Sequence, residues 1–170
     1  MRRIMTCGAL LALLLVSTTG ANSAQKELTG DQKFLKDTFT TSHAAVRLSE
    51  LADKHSNNAK VKDFAKMVIK DHKEMNDKIA KAAADQKLAV VAGNEQSVKD
   101  ALDRLSKLNG VDFDREYLKT IINNHEAIVQ MLQNESKDGK DANLTSFAKT
   151  ALPGAEQHLK EARALAKEIK

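Results

Sequence analysis

The chain predicts an all-α fold, a four-helix bundle with a short helix in its crossover, on three observations. Apolar residues recur at alternating steps of three and four over long stretches, the spacing that keeps side chains on one helix face. One proline and seven glycines in 170 residues leave few interruptions. No segment shows the period-two alternation of a half-buried strand. Residues 24–170 make one domain, long enough for a four-helix core.

The first helix is expected from about Asp31 to Lys54, capped by Thr29 or Asp31, with an inner stripe of Leu35, Phe39, Ser42, Val46 and Ser49. Ser56-Asn57-Asn58 is a polar break, and Asn58 caps a second helix to about Asp85. From Gln86 to Gly110 the pattern loosens into a crossover with a short helix, Glu95 to Leu108, capped by Asn94 and closed by Gly110. Asp112 is the expected cap of the next long helix, which ends near Lys137-Asp138-Gly139. Asp141 starts the last one. Pro153 falls inside it, where the missing amide donor should kink or restart the helix.

Three of the five histidines stand where this periodicity calls for an apolar residue. The stripes read Val61, Ala65, Val68, His72, Met75, Ile79, Ala82, then Leu118, Ile121, His125, Ile128, Leu132. The last reads Leu144, Ala148, Ala151, Ala155, His158, Ala162, Leu165, Ile169. Measured from the caps Asn58, Asp112 and Asp141 at about 1.5 Å per residue, all three histidines lie roughly 20 to 25 Å along their helices. Mid-height residues of an antiparallel or crossover bundle share one layer, so the three imidazoles can converge. Neutral imidazole nitrogen is a ligand for zinc, copper, nickel or iron. The plainer reading is a set of hydrogen-bonded core histidines, or a small polar network around buried water. His43 lies beside the first helix's stripe and His55 at a helix end, so both are expected on the surface.

Carboxylates limit the metal chemistry. A ferritin-type di-iron site needs Glu-x-x-His on two helices, but the residues three before the histidines are Ile69, Ile122 and Ala155. The first helix offers Ser42 and Ser49 on its buried face, with Glu50 towards the edge. Asp71 and Glu126 each adjoin a histidine yet point about 100° away around the helix, which suits them to orient a ligand or to face solvent. A redox-active di-iron enzyme is therefore disfavoured.

The N-terminus reads as an export signal: Arg2 and Arg3, an apolar run from Ile4 to Val16, then small and polar residues from Ser17 to Ala24. That run is too short for a comfortable permanent span. Ala21-Asn22-Ser23 forms a small-x-small site before Ala24, and cleavage after Ala21 is an alternative. The expected division is a signal peptide at 1–23 and a bundle domain at 24–170, with a periplasmic or secreted location. Cys7 precedes the apolar core, so Ile4-Met5-Thr6-Cys7 is not a lipid-attachment box, and the arginine pair lacks the fuller twin-arginine context. Processing removes the single cysteine, which excludes disulfides, thiolate metal sites and cysteine nucleophiles from the exported form. It also lowers the formal charge from +4 to about +2. Acids and lysines are interspersed, as in Lys60, Lys62, Asp63, Lys66, and with no tryptophan and one tyrosine neither a basic stripe nor a stacking platform for nucleic acid exists.

Phe64-Ala65-Lys66-Met67-Val68-Ile69-Lys70-Asp71-His72, then Gly110-Val111-Asp112-Phe113-Asp114-Arg115-Glu116-Tyr117-Leu118, then His125, then Leu152-Pro153-Gly154-Ala155-Glu156-Gln157-His158-Leu159 resemble the exported bacterial proteins grouped as domain of unknown function 4142. The resemblance runs from about Asp31 to the C-terminus. It implies a ferritin-like four-helix bundle, usually behind a signal peptide in Gram-negative bacteria, with no settled activity. The family's histidines match His72, His125 and His158. A glutamate common on the family's first helix is replaced here by Ala45, which takes an acid away from any metal site carried over. In a bacterial protein the triplets Asn134-Glu135-Ser136 and Asn143-Leu144-Thr145 are chance matches to a glycosylation signal.

The functional expectation is a periplasmic bundle of unsettled activity that binds one transition metal ion through His72, His125 and His158, in metal handling or envelope stress. The alternative is a structural or protein-interaction bundle whose histidines only organise the core. An enzyme using the same site as a Lewis acid ranks third, because no dedicated general base is identifiable. The export reading predicts that the intact mass of the accumulated protein corresponds to processing between about Ala21 and Ala24. A mature species retaining Met1 to Val16 would overturn it.

Overall fold

The computed structural model describes residues 27–91 and 96–169. Among them five helices succeed one another: α1 (Gly30–His55), α2 (Ala59–Asp85), α3 (Gln96–Leu105), α4 (Gly110–Asp138) and α5 (Ala142–Glu168). Among the described residues there is no strand. The four long helices form the bundle and α3 lies in the connection between α2 and α4, as the periodicity predicts. The expected signal segment and its cleavage site, and the expected cap Asn94, lie outside the described residues.

The polar residues at the breaks act as helix starts. Thr29 and Gln32 form a reciprocal capping box on α1. Asn58 accepts from the amides of Lys60 and Val61, and Asp141 from those of Asn143 and Leu144. Each satisfies amides that have no partner within the helix. Three expectations need correction. The described crossover helix ends at Leu105 rather than Leu108. Asp112 is not the cap of α4. That helix opens three residues earlier, after Asn109, where Gly110 takes a φ of +56°, a left-handed conformation that glycine adopts without penalty and that turns the chain into the helix. Asp112 instead sits in the first turn, paired with Arg115 at 3.3 Å. Pro153 does not restart α5, which runs unbroken from Ala142 to Glu168; the helix bonds on either side carry it past the one missing donor.

Short links at 56–58 and 139–141 make α1/α2 and α4/α5 antiparallel hairpins. Cross-bonds set the rest. Asn124 donates to the Thr41 carbonyl at 3.0 Å and Ser49 meets Tyr117 at 2.9 Å, so α1 and α4 are antiparallel. Lys60 reaches Glu168 and Asp71 reaches His158, so α2 and α5 are too. Helices α2 and α4 are then parallel, diagonal partners, and the chain must travel the length of the bundle between them. α2 packs mainly on α1 and α5 mainly on α4, and the α2–α5 seam is the slimmer one.

The stripe of α1 is rotated slightly from the expected one. Leu35, Thr38, Ser42, Ala45, Ser49 and Ala52 are fully buried, while Phe39 is half-buried. Small residues dominate this face, which lets α1 approach α2 and α4 closely. The core falls into two apolar clusters. One includes Val61, Phe64, Val68, Leu105, Phe113, Leu118 and Ile121; the other includes Leu35, Ile79, Ile128, Leu132, Leu144 and Ala155. The histidine layer lies between them. No helix among the described residues is long and apolar enough to cross a membrane.

Leu118 is fully buried in the first cluster. Leu118→Ala should therefore destabilise the fold by about 2–5 kcal/mol through lost burial and the cavity left behind. The check is a urea titration with Val91→Ala, at a residue 77% exposed, as the variant whose midpoint stays put. An unmoved midpoint for Leu118→Ala would contradict the packing described.

Candidate metal centre

Each of the four long helices contributes one polar side chain to the layer between the clusters: Ser42 from α1, His72 from α2, His125 from α4 and His158 from α5. His72 is 1%, His125 0% and His158 5% exposed. Their ring centroids are 5.0, 5.5 and 5.4 Å apart, and one ligand nitrogen from each ring comes within 4.8 Å of the other two. The expected convergence of the three imidazoles is thus present. His55 is exposed and stacks on Phe113; His43 is half-buried and stacks on Phe39 rather than standing free on the surface.

The hydrogen-bond partners assign the protons. His125 Nδ1 is 3.0 Å from the Ile121 carbonyl oxygen, which can only accept, so Nδ1 carries hydrogen and Nε2 keeps its lone pair. His72 Nε2 lies 3.1 Å from that Nε2 and must donate to it. His72 Nδ1, 2.9 Å from Ser42 Oγ, then accepts from the hydroxyl. His158 Nε2 donates to Asp71 Oδ2 at 3.0 Å. His158 Nδ1 is buried and has no partner. Such an orphaned lone pair normally costs about 1–3 kcal/mol.

Two of these environments disfavour the charged ring. Burial pushes His72 well below the usual imidazole range, and His125 and His158 add to the shift because two positive rings cannot sit side by side. Burial likewise lowers His125 to about 4; the Ile121 carbonyl opposes that and His158 reinforces it.

The donor set fits a metal ion. Two nitrogens bound to one ion at about 2.0 Å lie about 3.3 Å apart in a tetrahedron, close to the observed 3.1 Å between His72 and His125. His125 and His158 each have one ring nitrogen anchored to a carbonyl or a carboxylate, the arrangement that orients ligating histidines. Asp71 therefore takes the orienting role its position allowed. Glu126 faces Arg163 at 2.6 Å and Glu50 faces Lys73 at 2.9 Å, both away from the layer. The residues one turn before each histidine remain Ile69, Ile122 and Ala155, so no carboxylate bridge of the di-iron kind is available. Sequence reasoning places Ser42 on the buried face without revealing its role. The legible signal is a small hydroxyl at an inward position of the one long helix that lacks a histidine there.

The chain matches the family described as "Domain of unknown function (DUF4142)" over residues 16–165. No curated protein matches it by sequence. Among solved structures, CopM in the Cu(I)-bound form superposes with a TM-score of 0.70 at 19% identity, covering 84% of this chain and 98% of CopM. CopM in the Ag-bound form by co-crystallization gives 0.68 at 18% identity, over 81% and 96%. The conserved hypothetical protein rv2844 from Mycobacterium tuberculosis gives 0.63 at 14% identity, over 81% and 90%. At these identities the likeness is one of fold.

The neutral histidine layer has a consequence for stability in metal-free protein. The unfolded chain's histidines titrate near 6.5, whereas His72 and His125 resist protonation to lower pH when folded. Between those values the unfolded chain binds more protons. Stability is accordingly intact above about pH 6.5 and falls on acidification towards the folded values, by up to about 1.4 kcal/mol per pH unit for each histidine. Melting curves at about pH 7.5 and about pH 5 should show this loss, and a variant with His72, His125 and His158 all replaced by leucine should lose much less. Equal acid sensitivity in parent and variant would show that the rings are not held neutral.

Proposed function

The chain belongs to the DUF4142 family, whose domain has no assigned function, and for this member we propose an exported bundle that holds one transition metal ion between His72, His125 and His158. The observation that carries this reading is the convergence of three buried imidazoles, one nitrogen of each within 4.8 Å of the others, with the buried Nδ1 of His158 left without a partner. The likeness to CopM, whose structures include Cu(I)-, Cu(II)- and Ag-bound forms, supports copper or silver as the class of ion. In this proposal residues 1–23 are removed on export and residues 24–170 work in the periplasm, in metal handling or in resistance to envelope stress.

The hydrogen bonds of the layer account for how the ion would be accepted. His125 and His158 need no rearrangement of protons. His72 must free Nε2, and moving its hydrogen to Nδ1 does so if Ser42 turns from donor to acceptor, as a hydroxyl can. The ring proton is then kept within the layer rather than shed into an apolar core, and no charge is created beyond that of the ion.

Isothermal titration of the metal-stripped mature protein should show one ion bound per chain. His72→Ala, His125→Ala or His158→Ala should each weaken binding by at least the roughly 10- to 100-fold that lesser changes around metal sites cost. His43→Ala and His55→Ala should leave it unchanged. Equal losses from all five variants, or no binding by the parent, would instead favour a bundle whose histidines only organise the core.

A further inference from the structure

A cavity of about 470 Å³ opens at the slim α2–α5 seam and reaches the histidine layer, with His72 and His158 in its wall. Along α5 its wall runs from Phe147 to small residues beside His158. Ala151, Gly154 and Ala155 face the opening, and a side-chain carbon added at Gly154 would meet nothing within 4 Å. On the opposite wall stands Met75. It is three residues after His72, so its side chain shares that face of α2 one turn away. Met75 is half-buried, and its thioether sits on three rotatable bonds, which give it reach.

Resting on the metal-site reading above, we propose that this seam is the ion's port and that Met75 supplies a fourth, sulfur ligand, making the site selective for a soft monovalent ion such as Cu(I) or Ag(I). Two independent features point the same way. The first is ligand softness: a thioether favours Cu(I) and its like, whereas Zn(II) is served by imidazole and hard donors. The second is charge. The layer lies between two apolar clusters, and among the described residues the one carboxylate touching it is Asp71, 3.0 Å from His158 Nε2. Asp71 balances a single positive charge carried on the imidazole cluster; a dication leaves one charge uncompensated in an apolar layer, where desolvation is costly. Glu74 and Lys78, also in the cavity wall, are of opposite sign and do not alter that balance.

The other two methionines of residues 27–169 provide internal controls. Met67 lies in a separate surface groove with Phe64 and Leu165, and Met131 accepts from the Thr38 hydroxyl at 3.8 Å. Met75→Leu keeps the volume and the apolar character, so folding is checked by its melting temperature without metal. Cu(I) and Ag(I) affinities are measured by competition with a chromophoric Cu(I) chelator under reducing conditions, and Zn(II) affinity by calorimetry. X-ray absorption at the copper edge of Cu(I)-loaded protein gives the ligand type directly. In parent protein and in Met67→Leu a sulfur scatterer accompanies the nitrogens. In Met75→Leu that scatterer is absent, Cu(I) and Ag(I) binding weaken by about tenfold or more, and Zn(II) binding is unchanged. A nitrogen-only spectrum for the parent, or equal Cu(I) affinity with and without Met75, overturns the sulfur ligand while leaving the histidine site standing. Cu(I) binding that survives loss of the three histidines overturns the site itself.

Discussion

A polar atom buried without a partner costs more than a hydrogen bond contributes, and this bundle places six imidazole nitrogens across the middle of an apolar core. Five of them are satisfied: by the Ile121 carbonyl, by the Ser42 hydroxyl, by the Asp71 carboxylate, and by the two facing nitrogens of His72 and His125 meeting each other. Because Ser42, Asp71 and the histidines come from four helices, the bonds can be made only at one relative height of those helices. The layer thus pins the bundle's register in a way that interchangeable apolar contacts do not. Above and below it the two hydrophobic clusters supply the burial that holds the helices together.

The slim seam follows from the same topology. Short links join α1 to α2 and α4 to α5, so each hairpin closes its own interface, and α1 and α4 draw together through small side chains and the Ser49–Tyr117 pair. What is left to join α2 to α5 is the Lys60–Glu168 contact near one end, the Gln86–Asp141 contact at the other, and the Asp71–His158 bond between them. The cavity lies between Asp71–His158 and the Gln86 end, where α5 presents alanine and glycine. An opening towards a polar layer is what remains when three of the four interfaces are closed tightly.

Most of this architecture is written in spacing. Alternating three- and four-residue steps locate the four long helices, and Asn58 and Asp141 announce two of their starts because a side-chain acceptor before an apolar-periodic run has few other uses. Depth along the helices puts His72, His125 and His158 at one level. Helix starts are harder to read where the backbone, rather than a side chain, makes the turn: Gly110 in the left-handed region opens α4, and Asp112 only resembles its cap. The α1 stripe is displaced slightly because Thr38, Ala45 and Ala52 carry no strong hydropathy, and of the expected residues Phe39 is the one left half-buried while Val46 stays buried. Proton positions and the orphaned Nδ1 of His158 are beyond the reach of spacing, since they depend on which partner each ring meets across the bundle.

The balance of forces in the layer also distinguishes a binding site from an architectural device. Leucine in place of the histidines would bury more apolar surface, need no partners and carry no penalty on acidification, and exchanging buried polar networks for apolar residues is often neutral or stabilising. Ser42, His72 and His125 fix the relative height of three helices through their chain of hydrogen bonds, and the Asp71–His158 bond adds the fourth. His158 stands outside that chain, tied to Asp71 at the cavity's edge, and its other nitrogen is buried without a partner. That nitrogen is the one histidine nitrogen of the layer without a partner, and a hydrogen-bond or metal partner would relieve its penalty. A metal cation held as proposed would be such a partner, and would replace the His72 to His125 bond that occupies a second ligand nitrogen. In the bare layer the cost of that nitrogen stands uncompensated, and the proposed ion is one partner that would relieve it.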